Sequence, residues 1–197
     1  MLTETVGDGP GDSICGRDGI DDILKGDGVV IIPYVEVNGA RIIPDDMIEA
    51  LWEKGIAEAL DTKVFGEKKT FWEFLDMLKS NKNLSLFMFK ENGKSPLGIA
   101  WINGLTRTHA FAHFMFLKEA WGMHTMPLGR ACCRYWFALG SPDPILDILV
   151  GNIPSSNRAA IRFVQRLGWT VVGEIPHLAY DGAMTVTYCE RDTWAEM

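Results

Sequence analysis

Two histidines fall on one face of a segment that alternates like a β-strand. His109, Phe111, His113 and Met115 are two residues apart, so their side chains point the same way. A histidine in a partly buried cleft titrates near neutral pH and can take a proton from an ammonium group. We therefore predict His113 as a catalytic base; a packed, structural imidazole is the alternative. About 13 Å of strand separates the two histidines, so no metal site is expected here.

A possible anion-binding helix start lies just after this segment. Gly122 lets the backbone approach a ligand closely, and the first turn of a helix carries unpaired N–H groups and a positive dipole end. His124 could donate a further hydrogen bond to a phosphate. The alternative is that His124 is an ordinary exposed residue at a helix start.

A third set of residues lies between Gly151 and Trp169. Ser155 or Ser156 can cap a helix that Gly168 ends. The helix places residues 160, 164 and 167 on one face and the arginines 158, 162 and 166 on another. Six Lys or Arg and three acidic residues occur from Lys118 to Thr170, in a chain of net charge −7. This local excess of positive charge suits a small polyanion, and a solvated helix face is the alternative.

The helices and strands that must position these residues are predicted to form an α/β fold. Val29 to Val37 and Ala40 to Ile43 predict strands around an Asn38-Gly39 turn. Helices are predicted at 47–60, capped by Asp45 or Asp46, and at 70–79, with a Thr70–Glu73 capping box. A meander at 84–90, 97–105 and 108–117 precedes a helix at 127–139, a strand at 145–150, a helix at 156–167 and strands at 170–175 and 184–190.

This order, with the Gly122 segment and the Gly151–Trp169 segment, resembles the GNAT superfamily of acetyl-CoA-dependent N-acetyltransferases. The stretch from Lys118 to Gly122 is similar to the ribosomal-protein and amino-group acetyltransferase branch. The resemblance implies an α/β (α+β) fold with a mixed, mostly antiparallel sheet and helices on both faces. It also implies that the sheet splays open between the third meander strand and the strand at 145–150, and that CoA lies in that wedge.

The resemblance also implies which residues contact the cosubstrate acetyl-CoA. They lie around the wedge and the two helix starts: Phe116, Leu117, Gly122, Met123, His124, Thr125, Met126, Asn152, Asn157 and Arg158. The pyrophosphate motif departs from the family pattern, because Glu119 replaces a Gln or Arg and His124 replaces a small residue. Asn157 matches a family position that approaches the pantetheine arm, although it could serve only as a helix cap.

The general acid of the family is not found at its usual positions. Many relatives place a Tyr where this chain has Val164, and others a Ser where it has Ala160. The implied activity is direct attack of a primary amine on acetyl-CoA in a ternary complex. The acceptor could be a small molecule, a protein N-terminus or a lysine. The alternative is a catalytically silent protein of this fold, serving in binding or in an assembly, viral assemblies included; RNA-bound amino groups are a weaker third option.

Composition limits the remaining function classes. With 197 residues, 47% of them hydrophobic, we expect an irregular arm over 1–27 and one domain over 28–197. No apolar run approaches about 20 residues and no secretory pattern is visible, so we expect no membrane association and a cytoplasmic location. The four cysteines form no CxxC pair, which argues against zinc and disulfides. The acidic charge argues against nucleic acid; a homodimer is left open.

Overall fold

The fold is built on an eight-stranded sheet. The computed structural model describes residues 25–26, 28–37, 40–65, 68–80, 82–179 and 182–195. The strands are β1 (Lys25–Gly26), β2 (Val29–Pro33), β3 (Glu36–Val37), β4 (Ala40–Arg41), β5 (Leu84–Lys90), β6 (Pro96–Asn103), β7 (His109–Phe116), β8 (Ile148–Pro154), β9 (Thr170–Ala179) and β10 (Gly182–Glu190). The helices are α1 (Asp45–Ala57), α2 (Leu60–Phe65), α3 (Phe71–Lys79), α4 (Thr125–Phe137), α5 (Arg158–Arg166) and α6 (Arg191–Ala195), with a 3₁₀ turn at Lys118–Ala120.

The order of strands in the main sheet is β1-β2-β5-β6-β7-β8-β10-β9, and β3 pairs with β4 as a separate ribbon. Neighbouring strands are antiparallel except β7 and β8, which run parallel. The predicted mixed, mostly antiparallel sheet and its β5–β6–β7 meander are therefore confirmed. The single parallel pair lies near the middle of the sheet, where the crossover through α4 returns the chain.

One face of the sheet is covered by α1, α2 and α3. Their apolar side chains form a core with Phe87, Ile99 and Trp101 of the meander. The predicted capping box of α3 is present, because Thr70 and Glu73 each bind the other's backbone N–H. The predicted helix at 47–60 is wrong in its extent: α1 begins at residue 45 and ends at residue 57. The break falls at Ala59, whose φ of 54° is left-handed without a glycine or proline to signal it.

The other face is covered by α4 and α5, which pack closely together. A Cβ on Gly129 of α4 would lie 2.7 Å from the ring of Phe163 in α5, so a larger residue at this crossing would require the Phe163 ring to shift. Helix α4 begins at Thr125, two residues before the predicted start, and places Pro127 inside its first turn. Helix α5 is capped by Asn157, whose Oδ1 accepts from the N–H of Ala160 at 3.2 Å, instead of by the predicted serines.

Two predictions fall partly outside the described residues. The arm expected over 1–27 is described only at Lys25–Gly26, which pairs with Val29–Val30. The Asn38-Gly39 turn lies between described segments. Within the described part of the chain, no helix has the length and apolarity needed to cross a membrane.

Candidate active site

The sheet opens between β7 and β8. Their parallel ladder runs from His109↔Ile148 to Phe111↔Val150 and then stops, although β7 continues to Phe116 and β8 to Pro154. Each strand keeps its other neighbour over this stretch, β6 and β10 respectively. The predicted splay is therefore present, and it leaves a wedge with two strand edges facing each other.

Backbone polar groups point into this wedge. The N–H of Leu117 donates to the carbonyl of Leu97 at 2.9 Å, so alternate residues of β7 bond to β6, and Phe114 and Phe116 face the opposite side. On β8, the N–H of Ser155 donates to the carbonyl of Ala183 at 2.8 Å, so Asn152 faces the wedge in the same way. The splay thus offers N–H groups at Phe114, Phe116 and Asn152 that no adjacent strand pairs.

A cavity of about 500 Å³ fills the wedge. One end, here called the α4–α5 end, is formed by the Gly122 segment and helix α5; it includes Gly122, Thr125, Met126, Arg162 and Arg166. The other, called the α2 end, is formed by helix α2 and the opposite face of β7; it includes Leu60, Val64, His113 and Met115. Because the helices belong to opposite faces of the sheet, the cavity passes through the sheet at the splay.

The Gly122 segment forms part of the cavity wall. Gly122 has φ = 86°, which favours glycine, and nothing lies within 4 Å of a Cβ built there. The N–H groups at the start of α4 have no intrahelical acceptor, and Pro127 contributes none. The wall can therefore offer donors at Thr125 and Met126.

Helix α1 holds the start of this segment. Glu58, just past α1, accepts a hydrogen bond from the N–H of Lys118 at 2.8 Å, and Lys54 lies 3.3 Å from the Glu119 carboxylate. Glu119 is the residue that departs from the family's motif, so an ion pair with α1 now occupies that position. The same contacts tie the 3₁₀ turn to the α1–α2 corner, which continues into the α2 wall of the cavity.

Helix α5 supplies the positive charge of the cavity. Arg162 and Arg166 line it and are exposed, and neither has an ion-pair partner among the described residues. Arg158, one turn earlier, borders a separate depression beside Glu174. Asn157 lines the cavity while capping α5, so both predicted roles occur together.

His113 lies at the α2 end, stacked on Trp101 with the ring centroids 5.0 Å apart. Trp101 stacks in turn on Phe65 at 5.5 Å. Nε2 of His113 is buried and has no hydrogen-bond partner. Burial lowers the pKa of His113 to about 4, so the expectation that it titrates near neutral pH is wrong. At neutral pH the imidazole is uncharged. His109, by contrast, is hydrogen-bonded by Thr106 at the start of β7.

The cavity brings together several of the predicted contacts and leaves others outside. Those that line it are Phe116, Gly122, Thr125, Met126, Asn152 and Asn157, with His113. Those that do not are Leu117, Met123, His124 and Arg158. Leu117 is fully buried in the core, and Met123 is 81% exposed because the turn points it to solvent. His124 is the cap residue of α4 and makes no side-chain cap bond.

The cavity residues that the sequence prediction missed are mostly apolar, among them Leu60, Val64, Trp121 and Phe163. Val164 and Ala160 do line the cavity. Neither side chain carries a hydroxyl, so neither can serve as a general acid within the site.

The remaining reactive side chains do not add to the site. Cys132, Cys133 and Cys189 are buried free thiols with raised pKa values, which makes them poor nucleophiles. No group of three metal-ligating side chains occurs within the described segments.

Comparison with known proteins identifies this architecture. No protein-family model matches the chain, and no curated protein matches it in sequence. Solved structures do match. Spermidine N-acetyltransferase from Vibrio cholerae, in complex with CoA and spermine, is 10% identical, with a TM-score of 0.67 over 86% of this chain and 99% of that one.

Two further structures agree. A Salmonella typhimurium acetyltransferase that modifies the N-terminal serine of a 50S ribosomal subunit protein has 10% identity and a TM-score of 0.65, covering 83% of this chain and 95% of that one. Campylobacter jejuni N-acetyltransferase PseH, in complex with acetyl coenzyme A, has 16% identity and a TM-score of 0.56, covering 83% and 99%. The chain therefore has the fold of the GNAT acetyltransferases.

Proposed function

We propose that the protein is an acetyl-CoA-dependent N-acetyltransferase that moves an acetyl group to a primary amine. The observation that carries this proposal is the cavity through the splayed sheet, with cations and a helix start at one end and a buried imidazole at the other. Solved structures of the same fold hold CoA or acetyl coenzyme A.

The residues fit a CoA thioester in one orientation. Arg162, Arg166 and the first-turn amides of α4 are positioned for phosphate oxygens, since both are preferred anion partners. The wedge N–H groups at Phe114, Phe116 and Asn152 would bind the amide and carbonyl oxygens of the pantetheine arm and the thioester. An N–H directed at the thioester oxygen stabilises the negative charge that develops there during attack.

The acceptor amine would approach from the α2 end. Once a small shift of the neighbouring side chains uncovers it, Nε2 of neutral His113 can accept a hydrogen bond from the amine and so orient the nitrogen lone pair toward the thioester carbon. Attack forms the C–N bond, the C–S bond breaks, and the thiolate leaves with the electron pair. The proton lost from the amine passes to water, because a group with a pKa of about 4 is a weak base at neutral pH.

A second candidate function is binding without turnover. Val164 and Ala160 line the cavity and offer no hydroxyl to protonate the leaving thiolate. A positioned acid contributes typically about 10²–10⁴-fold, so its loss is compatible with a protein that holds CoA without using it. Slow transfer, with water protonating the thiolate, is the expectation under the main proposal.

Two measurements test the proposal together. CoA at 100 times its Kd should raise the free energy of unfolding by about 2.7 kcal/mol, visible as a shift in Tm. Acetyl-CoA with an amine panel should then release free thiol and N-acetylated product. A Tm shift without product favours the binding function, whereas no shift at millimolar CoA contradicts both.

A further inference from the structure

The two ends of the cavity differ in what they can hold, and this difference bears on the acceptor. The inference rests on the proposed function, because it takes the phosphates to lie at the α4–α5 end. Both exposed arginines of the cavity, Arg162 and Arg166, are at that end. A thioester threaded through the wedge from there leaves the α2 end as the entrance for the second substrate.

Among the described side chains, the α2 end offers no negative charge to a cation; those of residues 61–63 in α2 lie outside the described set. Among the described residues that line the cavity there is no Asp or Glu, and the charged ones are the two arginines. His113 is neutral at pH 7. A second ammonium group placed here would lose its water without gaining a counter-charge, which is costly.

The walls at this end are hydrocarbon and aromatic instead. Leu60 and Val64 project from α2, Met115 from β7, and the ring stack of Phe65, Trp101 and His113 lies behind them. Such a surface gains free energy by covering an apolar group. Nε2 of His113, buried behind this wall without a partner, can accept from one N–H group once a small side-chain shift uncovers it.

We infer that the acceptor is a primary amine carried on an apolar body with no second positive charge, and that its body lies against α2. A polyamine of the kind bound in the Vibrio cholerae enzyme would not be a good substrate. The inference thus narrows the acceptor by its chemistry, within a fold whose members act on different amines.

A matched pair of amines tests this inference. Hexylamine and hexamethylenediamine have the same chain length and differ in the second amino group. With the full chain and saturating acetyl-CoA, kcat/KM for hexylamine should exceed that for the diamine by at least about tenfold. The diamine must bury its distal ammonium group without a counter-charge, and even a modest free-energy cost of that burial lowers kcat/KM tenfold. Equal values, or a preference for the diamine, would overturn the inference while leaving the transfer function standing.

A matched pair of variants locates the effect. Val64→Glu adds a carboxylate to the α2 wall, and Val64→Gln adds a side chain of the same size without charge. The ratio of diamine to monoamine kcat/KM should rise about tenfold in V64E relative to V64Q, because the new carboxylate pairs with the distal ammonium. An unchanged ratio in two folded variants would show that the acceptor does not lie against α2.

The failure of the acceptor inference differs from failure of the proposed function. If acetyl-CoA acetylates other amines of the panel but neither of these two, the acceptor inference is wrong and the transfer function stands. If CoA does not raise the Tm and acetyl-CoA donates its acetyl group to no amine, the proposed function itself is wrong.

Discussion

The α4–α5 end and the α2 end of the cavity differ in how exposed and how tightly packed their lining residues are. The α4–α5 end is open, with Gly122 and two arginines at the surface that have no ion-pair partner in the described part of the chain. The α2 end is lined by side chains that belong to the core, with an imidazole stacked against a buried tryptophan. A surface site can be altered with little cost to folding, whereas a buried site couples chemistry to stability. Variants at the two ends should therefore fail in different ways.

The largest effect is expected at Gly122. Gly122→Asp puts a carboxylate where the phosphates are proposed to lie, so affinity for CoA should fall by more than about 10²-fold from like-charge repulsion and bulk. Calorimetric titration with CoA measures this. Open space surrounds the position, so the protein should remain folded.

Gly122→Asn is the control for this variant, because asparagine matches aspartate in shape and tolerates φ = 86° comparably. It should lose much less affinity than the aspartate variant. Equal affinity for CoA in both variants and the natural protein would show that the phosphates lie elsewhere.

A somewhat smaller effect is expected at His113, where stacking and hydrogen bonding can be separated. His113→Phe keeps a ring on Trp101 and removes Nε2, so the amine is oriented less well and turnover should fall by up to about 10²-fold, while Tm and CoA affinity stay close to those of the natural protein. His113→Ala removes the ring as well and should also lower the Tm. A stable, fully active His113→Phe protein would remove His113 from the mechanism.

The same histidine predicts how stability depends on pH. Its pKa is lowered from 6.5 to about 4 by burial, so the unfolded state binds the proton more readily. The free energy of unfolding should therefore fall as pH drops from 6.5 toward 4, by up to roughly 3 kcal/mol, and should not change from this group above 6.5. Denaturant unfolding of the natural protein and His113→Phe across this range isolates the contribution; parallel curves would contradict it.

Much of the fold could be predicted because its signals are local. The β-prone run from Leu84 to Lys90 and the Thr70–Glu73 capping box each depend on a few neighbouring residues. The break between α1 and α2 could not be predicted in this way. Ala59 is a good helix former, yet its φ is left-handed, and its neighbour Glu58 bonds to Lys118, a residue distant in sequence.

The residues of the candidate site likewise fall into those that could be predicted from the sequence and those that could not. Gly122 and Asn157 could be predicted from motif spacing, and both line the cavity. Leu60 and Val64 could not, since an apolar residue carries no sequence mark that distinguishes a cavity wall from a core. The low pKa of His113 could not be predicted for a similar reason. It depends on how deeply the side chain is buried, and alternation within β7 does not show that depth. The stacking partner Trp101 lies on the neighbouring strand β6.

The smallest expected effect compares arginines along α5. Arg162 and Arg166 line the cavity, whereas Arg158 borders only the depression beside Glu174, which Arg162 also borders. Each exposed charge contributes at most about 1 kcal/mol, so Arg162→Gln or Arg166→Gln should weaken CoA binding roughly two- to fivefold. Arg158→Gln, with the same loss of net charge on the same helix, should leave the affinity unchanged. The first two variants should also show less salt dependence, because a screened attraction has been removed. If all three substitutions lower the affinity for CoA equally, the arginines attract CoA only through the net positive charge of the helix. The direct contacts proposed for Arg162 and Arg166 would then be wrong.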